Sequence, residues 1–421
     1  MIPSTVSTIY KYSILGLVFV IASPFYGATL GVLVLVFFCW FYFRDYKNLV
    51  SALFQPHIAI PVLLYLIVFI GAFFADDRRE ALSSLSTKLP FLLFPVIVGT
   101  SSIVSPQLIR RAANLFIIAI SLSLLIALAY ALVDVYVTGE KLIQIDESFY
   151  KKWKWYGLTR IFPNWHPTYV AVCVNLAIAI QFQNVLNVPD RNKKKTLLIT
   201  TWMFAFLSVC IVLVNSMIGV ACYFFILLYT GLLFLKHFKV KSIYRLSLLC
   251  TLGIGAFAFF YFNPLNIQKL NDLKYQEVKI TDTQGERNLL TMRMAKWKAY
   301  TDIIENNLVL GVTEGDIKDV RDSVYITEGY QDLHRYNYNA HNQYLEVFAM
   351  YGLIGFLLFL YMLASPFFPK SWHPLLPPFI IITGLSFLTE SILQRQQGIL
   401  LFMALYALLT NPKAVEEIQA G

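Results

Sequence analysis

The chain has 421 residues, 57% of them hydrophobic and only 14% charged, with a mean hydropathy of +0.61 and a net charge of +9. A soluble domain carries about 25% charged residues, so this composition excludes a water-soluble globular protein. Apolar runs near the length of a bilayer-spanning helix recur from end to end.

Lipid offers no water to unpaired backbone groups, so only helices and closed barrels cross it, and these runs lack the alternation of barrel strands. The expected fold is an all-α polytopic membrane protein. About twelve spans are expected, over residues 12–26, 28–43, 58–74, 89–104, 112–137, 167–185, 197–214, 217–235, 243–262, 344–364, 374–392 and 396–411. The first run follows Lys11 and leads straight into a second, which reads as a retained helix rather than a cleaved signal peptide. The chain divides into helices 1–9 (1–262, with an outward loop at 138–166), a large loop (263–343) and helices 10–12 (344–421).

Lys and Arg placement sets the orientation. With the N-terminus in the cytoplasm, 15 basic and 4 acidic residues fall on the cytoplasmic side, among them Arg191, Lys193, Lys194, Lys195, Lys236, Lys239 and Lys241. The net charge is thus a topology signal, +11 inside and −2 elsewhere, and gives no indication of nucleic-acid binding. Both termini are expected in the cytoplasm and the loop 263–343 outside. All five cysteines lie inside apolar runs, so the outward loops hold no disulfide framework. No P-loop or dinucleotide fingerprint is present, and no cofactor is expected.

The outward loop from Thr138 to His166 combines Tyr150, Trp153, Trp155 and Tyr156 with Lys151, Lys152, Lys154 and Arg160, then Trp165-His166-Pro167. Such a mixture suits an interface belt among lipid headgroups or an anionic, sugar-bearing ligand. In the second loop, Met292, Ala295, Ala299 and Ile303 recur at helical spacing, with Arg293, Lys296 and Lys298 supplying charge. A second short helix follows, with Ile317, Val320 and Val324 on one face. Together they predict an amphipathic cap on the membrane, in which Arg293 is either a solvated surface charge or a phosphate clamp.

The loop ends at Ala340-His341-Asn342-Gln343-Tyr344-Leu345-Glu346, where the apolar run resumes. Imidazole exchanges a proton near neutral pH, so His341 is a candidate base. On position alone the plainer reading is an interfacial histidine bonded to a loop carbonyl. A metal site built on His334 and His341, with Glu328, Asp332 and Glu346 nearby, is disfavoured because Tyr336-Asn337-Tyr338-Asn339 argues against a shared helix face. A carboxylate orienting His341 is the better reading, with Glu346 in that role.

His341-Asn342 followed by Gly352-Leu353-Ile354-Gly355 resembles the signature of the O-antigen ligase and polymerase family. Arg293-Met294-Ala295-Lys296-Trp297 and the run Asn307-Leu308-Val309-Leu310-Gly311-Val312 resemble the same family, with departures at Asn307 and Thr313, where Pro and Gly are usual. The His166-Pro167-Thr168-Tyr169 start of span six, and Glu390-Ser391-Ile392-Leu393-Gln394-Arg395-Gln396-Gln397-Gly398 near the end, look like the branch common in Bacteroidetes-type bacteria. The matching motifs cover about 160–400. One departure concerns a cation: family ligases carry Arg or Lys where this chain has Met217, after Ser216.

The resemblance implies an inverting, metal-independent glycosyltransferase of the bacterial inner membrane with its active site on the periplasmic face. It would move a glycan from a polyprenyl pyrophosphate carrier to a sugar hydroxyl, on lipid A–core for a ligase or on another glycan for a polymerase. In that reading His341 is the general base and Arg293 holds the pyrophosphate. Arg287, Arg160, His166, Lys154, Asn342 and Tyr344 contact donor or glycan, with Glu346, Gly352 and Gly355 in support. A protein O-oligosaccharyltransferase of the same family shares the donor chemistry. A transporter, the rival of another class, would need ionisable residues at mid-membrane depth. Asp134 and Glu390 are the residues nearest to that description.

Overall fold

A computed structural model describes residues 4–138, 158–159, 162, 165–186, 193–262, 289–368 and 373–415, except for positions 44, 215, 238 and 240. Among the described residues every element is helical and none is a strand, and the all-α polytopic expectation holds. Helices occupy each of the twelve expected spans: α1 (Ser4–Ala22), α2 (Thr29–Tyr42), α3 (Pro56–Phe74), α4 (Arg78–Lys88) with α5 (Pro90–Phe94), α6 (Pro106–Thr138), α7 (Pro167–Leu186), α8 (Lys193–Leu213), α9 (Met217–His237), α10 (Ser242–Phe262), and, after the cap, α14 (Gln343–Ala364), α15 (Leu376–Phe387) and α16 (Gln396–Leu409). The cap is α11 (Leu289–Asn306), α12 (Thr313–Thr327) and α13 (Gln331–Arg335). Eight of the described helices are long and apolar enough to cross a membrane, with shorter apolar helices in α2, α15 and α16.

Among the boundaries that differ from the expected spans, two bear on the site. The fourth span begins at Arg78 rather than 89, because a polar turn at Asp76–Asp77 starts α4, whose N-cap Asp77 accepts from Glu80 N at 2.9 Å. Pro90 and Pro95 then break that span into α4, α5 and a π-helical turn at Pro95–Gly99. The eleventh span ends at Phe387 rather than 392, which leaves Glu390 in an irregular turn between α15 and α16 instead of on a helix.

Two helices form the centre of the bundle. Every residue of α7 from Thr168 to Gln181 is buried, as is every residue of α16 from Gln397 to Leu409. The α7 helix packs on α6, α8, α9 and α15. Facing outward are side chains such as Phe73, Phe74 and Trp202, as expected where lipid replaces water as the solvent.

Successive spans alternate in direction, so the turns sort to two ends. At one end Asn411 Nδ2 reaches the carbonyls of Val98, Gly99 and Ser101 at 3.0–3.1 Å, and Asp45 accepts from Ser102 N at 3.1 Å. At the other end lie the α3–α4 turn, His166, the cap and the turn before α16. There α12 rests on α3 and α4, while α11 rests on α14.

The seam between cap and α14 depends on two glycines. Val312 N donates to Ala349 O at 3.0 Å and Leu353 N to Leu308 O at 2.8 Å, so the strap 308–312 replaces helical partners where α14 breaks. The break is at Gly352, with φ +61° and ψ −165°, a conformation that in practice only glycine adopts. A Cβ at Gly352 would lie 2.2 Å from Val309 O, and one at Gly311 (φ +72°) 2.5 Å from Met350 O. Gly352 thus lets the strap backbone sit where any side chain would collide with it.

Candidate active site

The segment 336–342 leaves α13, runs without helical structure and delivers His341 to the start of α14. Trp297 Nε1 on α11 donates to Ala340 O at 3.2 Å, Tyr325 Oη on α12 donates to Tyr338 O at 3.1 Å, and Arg321 reaches the Asn337 side chain. Asn342 caps α14, its side chain accepting from Tyr344 N at 3.0 Å and Leu345 N at 3.3 Å. Between these anchors His341 adopts φ +46°, in the left-handed region that few non-glycine residues occupy. That conformation turns its ring away from the first turn of α14.

The ring meets Glu390. His341 Nδ1 lies 3.2 Å from Glu390 Oε2, with the His341 side chain 24% exposed and that of Glu390 8%. Burial alone would raise the Glu390 carboxyl. The hydrogen bond with His341 and the positive charges of His341, His166 and Arg395 outweigh it and pull the group down to about 2. Glu390 is therefore an anion at neutral pH and accepts a hydrogen bond from Nδ1–H, which leaves Nε2 as the nitrogen available to act as the base. The Tyr338 ring lies 5.9 Å from that of His341, and Lys296 Nζ lies 5.1 Å from the Tyr338 centroid.

Glu346 does not pair with His341, which corrects the sequence reading. It is buried one turn into α14, where Oε1 accepts from Tyr300 Oη at 2.7 Å and Oε2 accepts from Ala340 N and Ser391 Oγ, both at 3.0 Å. Ala340 precedes His341 and Ser391 follows Glu390. One carboxylate oxygen thus ties together the neighbours of both members of the pair.

His166, at the start of α7, belongs to the same cluster. Its Nδ1 accepts from Thr168 N at 3.3 Å. Burial pushes its pKa down, an effect that the Glu390 charge opposes and the Arg395 and His341 charges reinforce. Arg293 lies within the field of Glu390 as well. Its side chain is solvent-exposed, although enough protein surrounds it for desolvation to lower its pKa against the pull of Glu390. The exposure decides what it can touch: a ligand reaches the guanidinium without displacing protein.

The structure thus brings together His341, His166, Asn342 and Arg293 at one end of the bundle, and Tyr344 lies just beneath, its Oη donating to Gly384 O at 3.0 Å. Tyr344 Oη and Asn342 Oδ1 are therefore both engaged by the protein. Gly355 sits one turn past the break, where a Cβ would lie 2.2 Å from Tyr351 Cβ. Lys154, Arg160 and Arg287 lie outside the described residues. His334 is on α13 and within 3.8 Å of Asp322, away from His341. Among the described residues no group of three or more His, Cys, Asp or Glu converges to hold a metal. The sequence marks Glu390 and Arg395 as part of a family-like motif, and Glu390 also as a possible transporter residue, but gives neither a role beside His341. The signal available was a charged pair flanking a Ser between two apolar runs, beside the glycine (Gly398) whose Cβ would lie 2.1 Å from Ile392 O.

An all-α polytopic membrane protein with a His–Glu pair sheltered by a helical cap is the class that the fold and site define. The O-antigen ligase family model matches residues 202–360, from α8 into α14, a stretch that includes Arg293, His341, Gly352 and Gly355. This match spans 159 of the 421 residues and supports the resemblance to the O-antigen ligase and polymerase family that the motifs carry. No curated protein matches the chain.

Proposed function

We propose that the protein is a ligase-type glycosyltransferase that moves a glycan from a polyprenyl pyrophosphate to a sugar hydroxyl of lipid A–core at the outer face of the inner membrane. The observation that carries this reading is the His341–Glu390 pair at 3.2 Å, on the same end of the bundle as Arg293. His341 Nε2 takes the proton of the acceptor hydroxyl as its oxygen bonds to the anomeric carbon. The bond from that carbon to the phosphate oxygen breaks, and the polyprenyl pyrophosphate leaves with the electron pair. Attack opposite the leaving group inverts the anomeric centre. Glu390 fixes the ring tautomer and stabilises the imidazolium that forms. Arg293 neutralises charge on the departing pyrophosphate. That leaving group is already activated, so the reaction needs no nucleotide. The basic bias of the opposite loops supports the outward placement of this end.

The test is glycan transfer in a bacterial strain lacking its own O-antigen ligase, with the intact protein compared with His341→Ala at matched membrane expression. Decoration of lipid A–core by the intact protein alone supports the reading. Lipid-linked polymer accumulating instead would assign the chain to polymerisation, and no glycan product from well-inserted protein would refute ligation in that acceptor context.

A further inference from the structure

One buried cation takes no part in the chemistry above. Lys88 ends α4, about three turns into the fourth span, and its side chain is 2% exposed. A lysine held at such depth is costly unless it is fully partnered. Its three donors have three acceptors: Leu393 O at 2.8 Å, Gln394 Oε1 at 2.8 Å and Glu314 Oε1 at 3.1 Å. Two of these lie in the turn that carries Glu390, and the third comes from the cap.

Each side of this contact is built to hold. The turn 388–395 has only short-range backbone bonds of its own and is gripped from outside: Leu393 N donates to Gln343 Oε1 at 2.6 Å, Leu393 O accepts from Lys88, and Ser391 is tied to Glu346. On the cap side, Glu314 is buried in the first turn of α12 and also accepts from Tyr351 Oη on α14. The same turn is sewn to the membrane helices by Asp316, whose Oδ1 accepts from Asp76 N at 2.9 Å and Asp77 N at 3.2 Å. Gly315 makes the approach possible, since a Cβ there would lie 2.7 Å from Ala75 Cβ.

We propose that Lys88 is a positioning residue for the transfer reaction: it holds the 388–395 turn, and with it Glu390 beside His341, and it does so only while the cap seats Glu314 against it. An ammonium without Glu314 would leave its buried site for water, so cap docking and placement of Glu390 become one event. The inference rests on the reading of His341 and Glu390 as the working pair.

The test uses the full chain in lipid nanodiscs, with Lys88→Met and Gln394→Leu made alone and in the Glu390→Gln background. Amide hydrogen exchange over 388–396 and steady-state transfer from a lipid-linked glycan are the readouts. Lys88→Met is expected to speed exchange in 388–396 and to lower kcat by about tenfold to a hundredfold, the loss typical of a small misplacement, while KM stays within about twofold. In the Glu390→Gln background it adds less than about twofold, because two changes acting through one contact are not additive. Gln394→Leu, which leaves the Lys88–Glu314 ion pair in place, is expected to show the same pattern more weakly, and it decides the matter if Lys88→Met inserts poorly. Unchanged exchange in 388–396, or a full kcat loss in the Glu390→Gln background, overturns the proposal. If the intact protein transfers nothing to any acceptor, the function reading has failed, and exchange alone still decides whether Lys88 holds the turn.

Discussion

Replacing Glu390 with Gln removes a charge and little else. The amide oxygen still accepts from His341 Nδ1–H, so ring orientation survives, and what disappears is the anion facing the imidazolium as it forms. Two unit charges at the observed 3.2 Å attract by about 1 kcal/mol at the dielectric constant of water and about 5 kcal/mol at an effective value near 20. With the Glu390 side chain 8% exposed and that of His341 24%, the site lies between these limits. Each 1.36 kcal/mol is tenfold in rate, so kcat should fall by about a hundredfold. Glu390→Ala also loses the orienting acceptor and should fall further. The assay is single-turnover transfer from a lipid-linked donor in nanodiscs, at matched insertion and with the acceptor saturating. In a His341→Ala background, Glu390→Gln should cost almost nothing more, since its effect passes through the ring. A variant with wild-type kcat, or one whose loss persists undiminished without His341, would refute the pairing as a catalytic device.

Gly352→Ala should destabilise the protein by about 3–5 kcal/mol, combining the cost of a glycine-only conformation with loss of the two strap hydrogen bonds displaced by a Cβ 2.2 Å from Val309 O. Denaturant unfolding in detergent checks it against Gly16→Ala, whose Cβ meets its nearest neighbour at 4.0 Å and should be almost silent. Arg293 is exposed, so Arg293→Ala should leave stability within about 0.5 kcal/mol while kcat/KM drops, with Lys restoring part of it. An unfolded variant would show that Arg293 is structural. Glu390 also predicts an acid limit. Its folded carboxyl lies at about 2, below the unfolded value of roughly 4.3, so the stability it contributes is complete above the unfolded value and is lost as pH falls towards 2. Two units correspond to about 3 kcal/mol. A pH series of unfolding midpoints should therefore show a shallower decline between 4 and 2 in Glu390→Gln than in the intact protein, and parallel curves would contradict the assignment.

The parts legible in the sequence are those determined locally. Span positions follow from apolar runs of the right length, and the two main cap helices follow from the spacing of Met292, Ala295 and Ala299 and of Ile317, Val320 and Val324, which the structure places in α11 and α12. His341 and Gly352 were visible as a motif because both mark the two breaks in one short stretch, the start of α14 and its kink. The partner of His341 was not visible. Glu346 lies five residues away and Glu390 forty-nine, so proximity in the chain favoured the wrong carboxylate. Backbone geometry decides between them: the Asn342 cap sends Glu346 into the core on the first turn of α14, while the positive φ of His341 directs its ring to the neighbouring turn.

Lys88 was hidden for a related reason. The polar composition of α4 reads as a solvated prelude to a span, and nothing within that stretch shows that its last side chain points inward. In an apolar chain, however, the charged residues that the fold buries are few, and each needs a partner. Lys88, Glu314, Glu346 and Glu390 form such a set here: Lys88 meets Glu314, Glu390 meets His341, and Glu346 is satisfied by three hydrogen bonds across cap, helix and turn. The sequence supplies the members of this set, and only the three-dimensional path of the chain decides their pairing. That pairing joins the cap, α4, α14 and the turn before α16 around one histidine, and for this reason a substitution at Lys88 or Glu346 should register at His341 even though neither side chain touches it.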